Sequence, residues 1–193
     1  MGQIRRQADC TREAVSAHDR VAWVNLTDAE LLEQCEVDTY RASGPGGQKR
    51  NKTSSAVRIR HPPSGLIVIA EESRSQHENK AKALRRLRQA FFLKLREDLA
   101  EPERTSDATV VRPEIAAIRT DGGRLQAGRK DPRFWPAAGV ILDVLNSAQA
   151  RVSDAAEAVG VSTGNLIDFL QTDPKLWEQA NQLRQQFGLK VLK

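Results

Sequence analysis

Between Tyr40 and Thr53 the chain reads Arg41-Ala42-Ser43-Gly44-Pro45-Gly46-Gly47-Gln48-Lys49-Arg50-Asn51-Lys52. Proline lacks the backbone donor of a strand, and glycine visits dihedrals other residues avoid, so Ser43 to Gly47 must form a loop. Gly46 and Gly47 carry no side chain, which lets the backbone approach a ligand closely. Gly-rich loops serve several kinds of chemistry, and two can be set aside. A phosphate-cradling P-loop needs Lys directly after its second framework glycine, where this chain has Gln48, and the dinucleotide-binding spacing is absent too. Neither a Gly-x-Ser-x-Gly elbow nor a cluster of metal-ligand residues accompanies the loop. Taken alone, Gly44 to Gly47 reads as a tight turn between strands, so the flanking residues must decide.

Those flanks predict a small α+β unit. Thr27 and Glu30 have capping-box spacing, which predicts a short helix from Asp28 towards Gln34 with Leu31 and Leu32 facing inward. Glu36 to Ala42 can form a strand ahead of the loop. After it, Val57, Ile59 and His61 alternate with Arg58 and Arg60, Pro62-Pro63-Ser64-Gly65 supplies a turn, and Leu66 to Ile69 is β-branched and apolar. This pattern predicts a hairpin. Ser75 and Glu78 have a second capping-box spacing, which opens a long helix with apolar positions Ala83, Leu84, Leu87, Phe91 and Leu95, and its other face carries Lys80, Lys82, Arg85, Arg86, Arg88 and Lys94. His61 falls on the apolar side of its strand and reads as a satisfied, half-buried histidine rather than a catalytic one.

The organisation expected along the chain is a mobile arm over 1–22, a folded unit over 23–100, a Pro/Gly/Arg-containing linker over 101–136 and a helical module over 137–193. In the module, Val140 to Leu145, Val152 to Val159, Asn165 to Leu170 and Pro174 to Phe187 look helical. The last has Asp173 at its cap, Pro174 in its first turn and Gly188 after its end. Ala155 to Ser162 followed by Leu166 and Leu170 is similar to a helix-turn-helix. Its second helix offers Asn165 and Asp168 but no Lys or Arg, which favours packing or partner binding over DNA readout.

Charge is unevenly spread. Arg41 to Arg96 holds 14 Lys/Arg against Glu71, Glu72 and Glu78, a surplus of +11 in a chain of net charge +5. Such a one-sided block points to a polyanion, with RNA ahead of DNA. No apolar run is long enough to span a membrane, and Met1 to Ala22 is too polar for a secretory signal, so a soluble cytoplasmic protein without a membrane partner is expected. Cys10 and Cys35 show neither metal-ligand spacing nor the density of a disulfide scaffold.

The ordered motifs around the loop are Asp38-Thr39-Tyr40-Arg41 before it, then Asn51-Lys52-Thr53, Ser55-Ala56-Val57-Arg58, His61-Pro62, Ser64-Gly65 and Arg74-Ser75-Gln76 with Asn79 after it. From about Glu36 to Leu99 this closely resembles the catalytic domain of class I peptide chain release factors and of codon-independent ribosome-rescue hydrolases. The fold implied is a short mixed sheet packed by a long helix, followed here by a linker and a small all-α module. The activity implied is ribosome-dependent hydrolysis of the peptidyl-tRNA ester. Gly46, Gly47 and Gln48 would be catalytic: Gln48 would contribute its backbone N–H, and its side chain would shape the pocket for water. A donor aimed at the developing negative charge is what such an ester hydrolysis needs. No cofactor, metal or general base is implied.

The resemblance further implies RNA contacts through Arg41, Lys49, Arg50, Asn51, Lys52, Arg58, Arg74, Gln76, Asn79 and Lys80. Arg74, Ser75, Gln76 and Asn79 could equally brace the loop. The partners implied are the ribosome at its large-subunit peptidyl transferase centre, ribosomal RNA and peptidyl-tRNA, with a methyltransferase acting on Gln48 a further candidate. Two departures matter. About 35 residues precede the first strand, too few for a codon-reading domain. The basic tail of short rescue hydrolases is replaced by Trp135 to Lys193, with five basic residues against six acidic. Codon-independent rescue is therefore expected. The alternative is a non-catalytic ribosome- or nucleic-acid-binding protein that retains the loop.

Overall fold

A computed structural model describes residues 17–41, 55–98 and 112–193. Helix α1 (Ala17–Asn25) and helix α2 (Asp28–Glu33) lead into strand β1 (Glu36–Tyr40). Strands β2 (Ala56–His61) and β3 (Leu66–Ala70) follow, joined by a single 3-10 turn at Pro62–Ser64, and helix α3 (Gln76–Lys94) closes the first unit. The capping box of α2 forms as its spacing requires: the Thr27 hydroxyl accepts from the Glu30 N–H while the Glu30 carboxylate accepts from the Thr27 N–H. Gly65, at φ 69, occupies the left-handed region where the turn re-enters β3.

The sheet order is β1-β2-β3, with Val37 opposite Ile59 and Ile59 opposite Val68. The α+β class is as expected, but the sheet is antiparallel throughout rather than mixed. Neighbouring strands joined by a tight turn or a simple loop run antiparallel, and a parallel pair would need a crossover element. The inner sheet face, one stripe of α3, Trp23 of α1 and Leu31 of α2 form a core that includes Val57, Ile59, Leu84, Leu87 and Phe91. Phe91 is fully buried, a contribution of about 1.5–3 kcal/mol from apolar burial alone.

The second unit comprises α4 (Pro113–Ala116), α5 (Phe134–Ser147), α6 (Val152–Val159), α7 (Thr163–Gln171) and α8 (Pro174–Gln186). Every residue of α5 from Ala137 to Leu145 is buried, which makes it the central helix around which the others pack. This helix begins before the apolar run that announced it, because Pro136 is tolerated in a first turn.

Three boundaries differ from expectation. The arm anticipated over 1–22 gives way to α1 at Ala17, and Arg20 and Trp23 are buried. The stretch anticipated as an exposed linker over 101–136 is, in its described part, packed on the module through Ile115, Ile118 and Leu125. The Leu125 N–H is also tied to the Asn165 side chain at 2.7 Å. Third, the units are joined rather than merely linked. Leu93 of α3 belongs to the core of the second unit, and Lys94 donates to Gln179 and Gln182 of α8.

A buried ionic group lies at this joint. Arg20 of α1 contacts Glu97 at 2.9 Å and Asp143 of α5 at 2.7 Å, while Arg96 reaches the other Asp143 oxygen at 3.2 Å. Burial raises the Asp143 carboxyl, an effect partly offset by the two guanidinium groups, and lowers Arg96 to about 10. Close approach of α3 and α5 depends on Gly139, where a Cβ would sit 2.9 Å from Phe92 Cδ1 and 3.3 Å from Arg20 Nη1.

Candidate functional site

The loop leaves the sheet where its two ends are already paired, since Tyr40 lies opposite Ala56 in the β1–β2 ladder. Gly46, Gly47 and Gln48, with Lys49, Arg50, Asn51 and Lys52, lie outside the described residues. The frame that holds them is described. Asn79, in the first turn of α3, donates through Nδ2 to the Ser55 carbonyl at 2.6 Å and to the Ser73 carbonyl at 2.8 Å. Its Oδ1 accepts the Ser73 N–H at 3.0 Å. One fully buried amide thus ties the downstream stem of the loop to the turn before α3.

Asn79 was expected among the RNA contacts. Its amide is buried and engaged on both sides, so it acts as a brace and presents nothing to a surface ligand. The same turn is held from the other side. Ser75 caps α3 by accepting the Glu78 N–H, but the expected box is only half formed, because the Glu78 carboxylate accepts from the Ser73 hydroxyl and the Ser75 N–H donates to Ser73 Oγ instead. Arg74 and Gln76 stand exposed on this fixed turn beside the loop stem, as does Arg41 on the other side. Lys80 is half-buried one turn further on.

The basic block is less free than its charge count implied. Arg58 gives two hydrogen bonds to Asp38 across the sheet, and Arg86 pairs with Glu72 while bonding the Ile69 carbonyl. Arg88 caps the α1–α2 connection through the Val24 and Leu26 carbonyls and Asp28. Arg74, Lys80, Lys82 and Arg85 make no ion pair among the described residues. Charge counting alone could not separate the two groups, because the pairing partners lie up to 64 positions away.

His61 is satisfied in the core, as its strand position required. Its Nδ1 accepts from the Ser64 N–H, Nε2 faces Gln34 Oε1 at 3.4 Å, and its ring stands edge-on to Trp23 and Phe91. Burial pushes its pKa below the ordinary histidine value, which keeps it neutral and structural. At the end of β1, burial and the neighbouring Glu71 carboxylate raise the Tyr40 hydroxyl. In the module, Asn165 of α7 is turned inward on Leu125, and Asp168 pairs with Arg124 at 3.9 Å. The candidate recognition helix therefore keeps its amide for packing.

Two features carried no sequence signal. The Arg20–Glu97–Asp143–Arg96 group joins residues up to 123 positions apart, and Arg20 fell inside the expected arm. The hydrogen bond from Asn79 to Ser55 ends on a carbonyl, which every residue has.

Residues 26–133 match the RF-1 domain family model. The chain is similar to peptide chain release factor 1 of Leptothrix cholodnii, at 43% identity over 107 residues, 55% of this chain and 27% of that protein. It is also similar to peptide chain release factor 2 of Bordetella avium, at 51% identity over 86 residues, covering 44% of this chain and 22% of that one. Peptide chain release factor 1 of Methylibium petroleiphilum gives 49% over 83 residues, with 43% and 22% covered. The chain thus spans about a quarter of the length of the curated relatives it matches. With more than half its residues inside the family match, and the loop frame at the centre of that match, the chain belongs to the RF-1 domain family of class I release factor catalytic domains.

Proposed function

We propose that this chain hydrolyses the ester of peptidyl-tRNA on the ribosome and releases nascent chains without reading a stop codon. The observation that carries the proposal is the Gly46-Gly47-Gln48 run between stems that are paired at Tyr40 and Ala56 and braced by Asn79. Hydrolysis of that ester needs a donor aimed at the charge that develops on the carbonyl or leaving oxygen, supplied by a preorganised group in a water-poor cavity. A backbone N–H at Gln48, approached past two glycines, meets that need without a general base. The side-chain amide of Gln48 limits the space beside it to water. Arg41, Arg74 and Gln76, exposed around the stems, and Lys49, Arg50, Asn51 and Lys52 within the loop contact RNA phosphate and sugar near the peptidyl transferase centre. Lys80 contributes from the next turn, and Arg58, held on the sheet by Asp38 through Nε and Nη2, contributes through Nη1.

Codon independence is supported by what the remaining described residues do. Helices α1 and α2 are committed to the cores through Trp23, Leu31 and Arg20, and Asn165 of α7 is folded inward. Side chains engaged in this way are not available to read three bases. The test is single-turnover release by the full chain on stop-programmed ribosomes, sense-stalled ribosomes and isolated large subunits carrying peptidyl-tRNA. Release on all three, reduced by ~10²–10³ in the Gly47→Ala protein, is the expected result. Release confined to stop-programmed ribosomes overturns the codon-independent part. Unchanged release by Gly47→Ala overturns the mechanism, and binding without release by the wild type favours a non-catalytic binding protein.

A further inference from the structure

Where α3 meets the second unit, a cleft of about 540 Å³ opens between Gln89 of α3, the Arg129–Lys130 stretch, Trp135 in the first turn of α5 and Lys175 in the first turn of α8. It adjoins a second cleft of about 300 Å³ against β3, which shares Gln89 and Lys175 and adds Arg86 and Lys94. Together they make a groove across the joint, on residues that the peptide-release reading leaves without a role.

The chemistry of its wall is specific. Trp135 is half-buried and held edge-on to Phe134, with ring centres 5.1 Å apart, so its position is set before any ligand arrives. Its indole N–H makes no hydrogen bond among the described residues, nor does the Gln89 amide. Lys130 and Lys175 are exposed and make no ion pair among the described residues. Asp173, the one carboxylate among the described residues that wall the larger cleft, is already engaged. Its Oδ1 accepts the Lys175 and Leu176 N–H groups at 2.8 and 3.2 Å, and its Oδ2 faces Arg129 Nε at 2.9 Å. Arg129 thereby keeps its outer amino groups for another acceptor. The groove offers a fixed flat aromatic whose indole N–H is free among the described residues, one amide with donors to spare at Gln89 and a surplus of cations.

We propose that this groove is an RNA-binding site which holds a single-stranded or looped-out nucleotide, with its base against Trp135 and its flanking phosphates on Lys130, Lys175 and Arg129. An acidic peptide would use the cations, but its carboxylates gain nothing from the ring. A base uses both the ring and the free donors, since base–aromatic stacking with phosphate contacts is how unpaired nucleotides are held. The second unit then contributes to docking through the joint rather than through α7. The proposal rests on the peptide-release reading for the source of the RNA, but the contact itself can be tested on free RNA with no release step.

The experiment measures binding of a short single-stranded RNA containing 4-thiouridine to the full chain, by anisotropy across a salt series and by photo-crosslinking with peptide mapping. Crosslinks to the tryptic segment that holds Trp135 are expected. Trp135→Ala should weaken binding about 5- to 150-fold while Trp135→Phe stays near wild type, which separates loss of stacking from loss of fold. Lys130→Ala with Lys175→Ala should lower the salt slope by about 1.4, for two phosphates of a single strand that are no longer neutralised. Crosslinks confined to other segments, equal weakening by Trp135→Phe and Trp135→Ala, or an unchanged salt slope in the lysine variant would each overturn the proposal.

Discussion

Asn79 Nδ2 donates to the Ser55 carbonyl at 2.6 Å, so the residue just before β2, on the downstream stem of the loop, hangs from the first turn of a 19-residue helix. The downstream stem at Ser55 and Ala56 is therefore held from α3 as well as by the sheet.

Replacing Asn79 with Ala removes the donor to Ser55 and Ser73 and the acceptor of the Ser73 N–H. Leaving those buried backbone groups unpaired costs about 1–3 kcal/mol of stability. A loop stem displaced by roughly 1 Å costs on the order of 10² in rate. Release on stalled ribosomes should fall by about that factor while ribosome affinity changes little. A fall in affinity equal to the fall in rate would mean that Asn79 acts at the RNA surface after all.

His61 gives a signed dependence on pH. Its folded pKa is lowered by burial, so below the ordinary value of 6.5 the unfolded chain takes up a proton that the folded chain refuses. Stability should be constant above about pH 6.5 and fall as pH drops below it. Urea unfolding of wild type and His61→Gln between pH 7.5 and pH 5 checks this. The variant should be less stable throughout, and the difference between the two should narrow towards acid.

At the joint, Asp143 holds two guanidinium groups and the Glu97 N–H. Asp143→Ala leaves Arg96 without its carboxylate and Arg20 with Glu97 alone, and removing one partner of a buried ionic group costs ~3–5 kcal/mol. Gly139→Ala tests the packing by size, since its Cβ would press on Phe92 and overpacking costs about 1–3 kcal/mol. Chemical denaturation of both variants gives the values, and an Asp143→Ala protein as stable as wild type would show that the pairing contributes nothing net.

The split within the basic block predicts two classes of variant. Neutralising Arg74, Lys80 and Arg85 together should weaken ribosome binding and flatten its salt dependence by about 0.9 for each phosphate left without its cation. Arg88→Gln should reduce stability because Val24, Leu26 and Asp28 are left without their guanidinium donor, with the salt slope unchanged. Binding measured across a salt series, beside thermal unfolding, separates the two.

Much of the fold was legible because local rules set it. The Thr27–Glu30 box, the Ser75 cap, the period-two run of β2 and the left-handed Gly65 are all short-range, and each stands where the residues implied. His61 was legible for the same reason, as alternation alone put it inside. The α1 helix was not legible, because its stability comes from Trp23 in the sheet core and Arg20 in a distant ionic group rather than from its own periodicity. The packed part of the anticipated linker escaped likewise, with Ile115, Ile118 and Leu125 too widely spaced to form a pattern. Among the site residues, the motif placed Asn79 near the loop, yet its burial depends on Ser55, 24 positions away.

Helix α3 belongs to both cores, through Leu87 and Phe91 on one side and Leu93 on the other. The two units should then melt in one transition, and the central amides of α3 should exchange with solvent only when the whole chain opens. Shortening the chain at the end of the family match would strip the cover from Leu93 and leave Arg20, Arg96 and Glu97 facing water. An evolutionary consequence follows, because the second unit cannot be removed or exchanged by recombination at that boundary without residues on α1 and α3 changing with it.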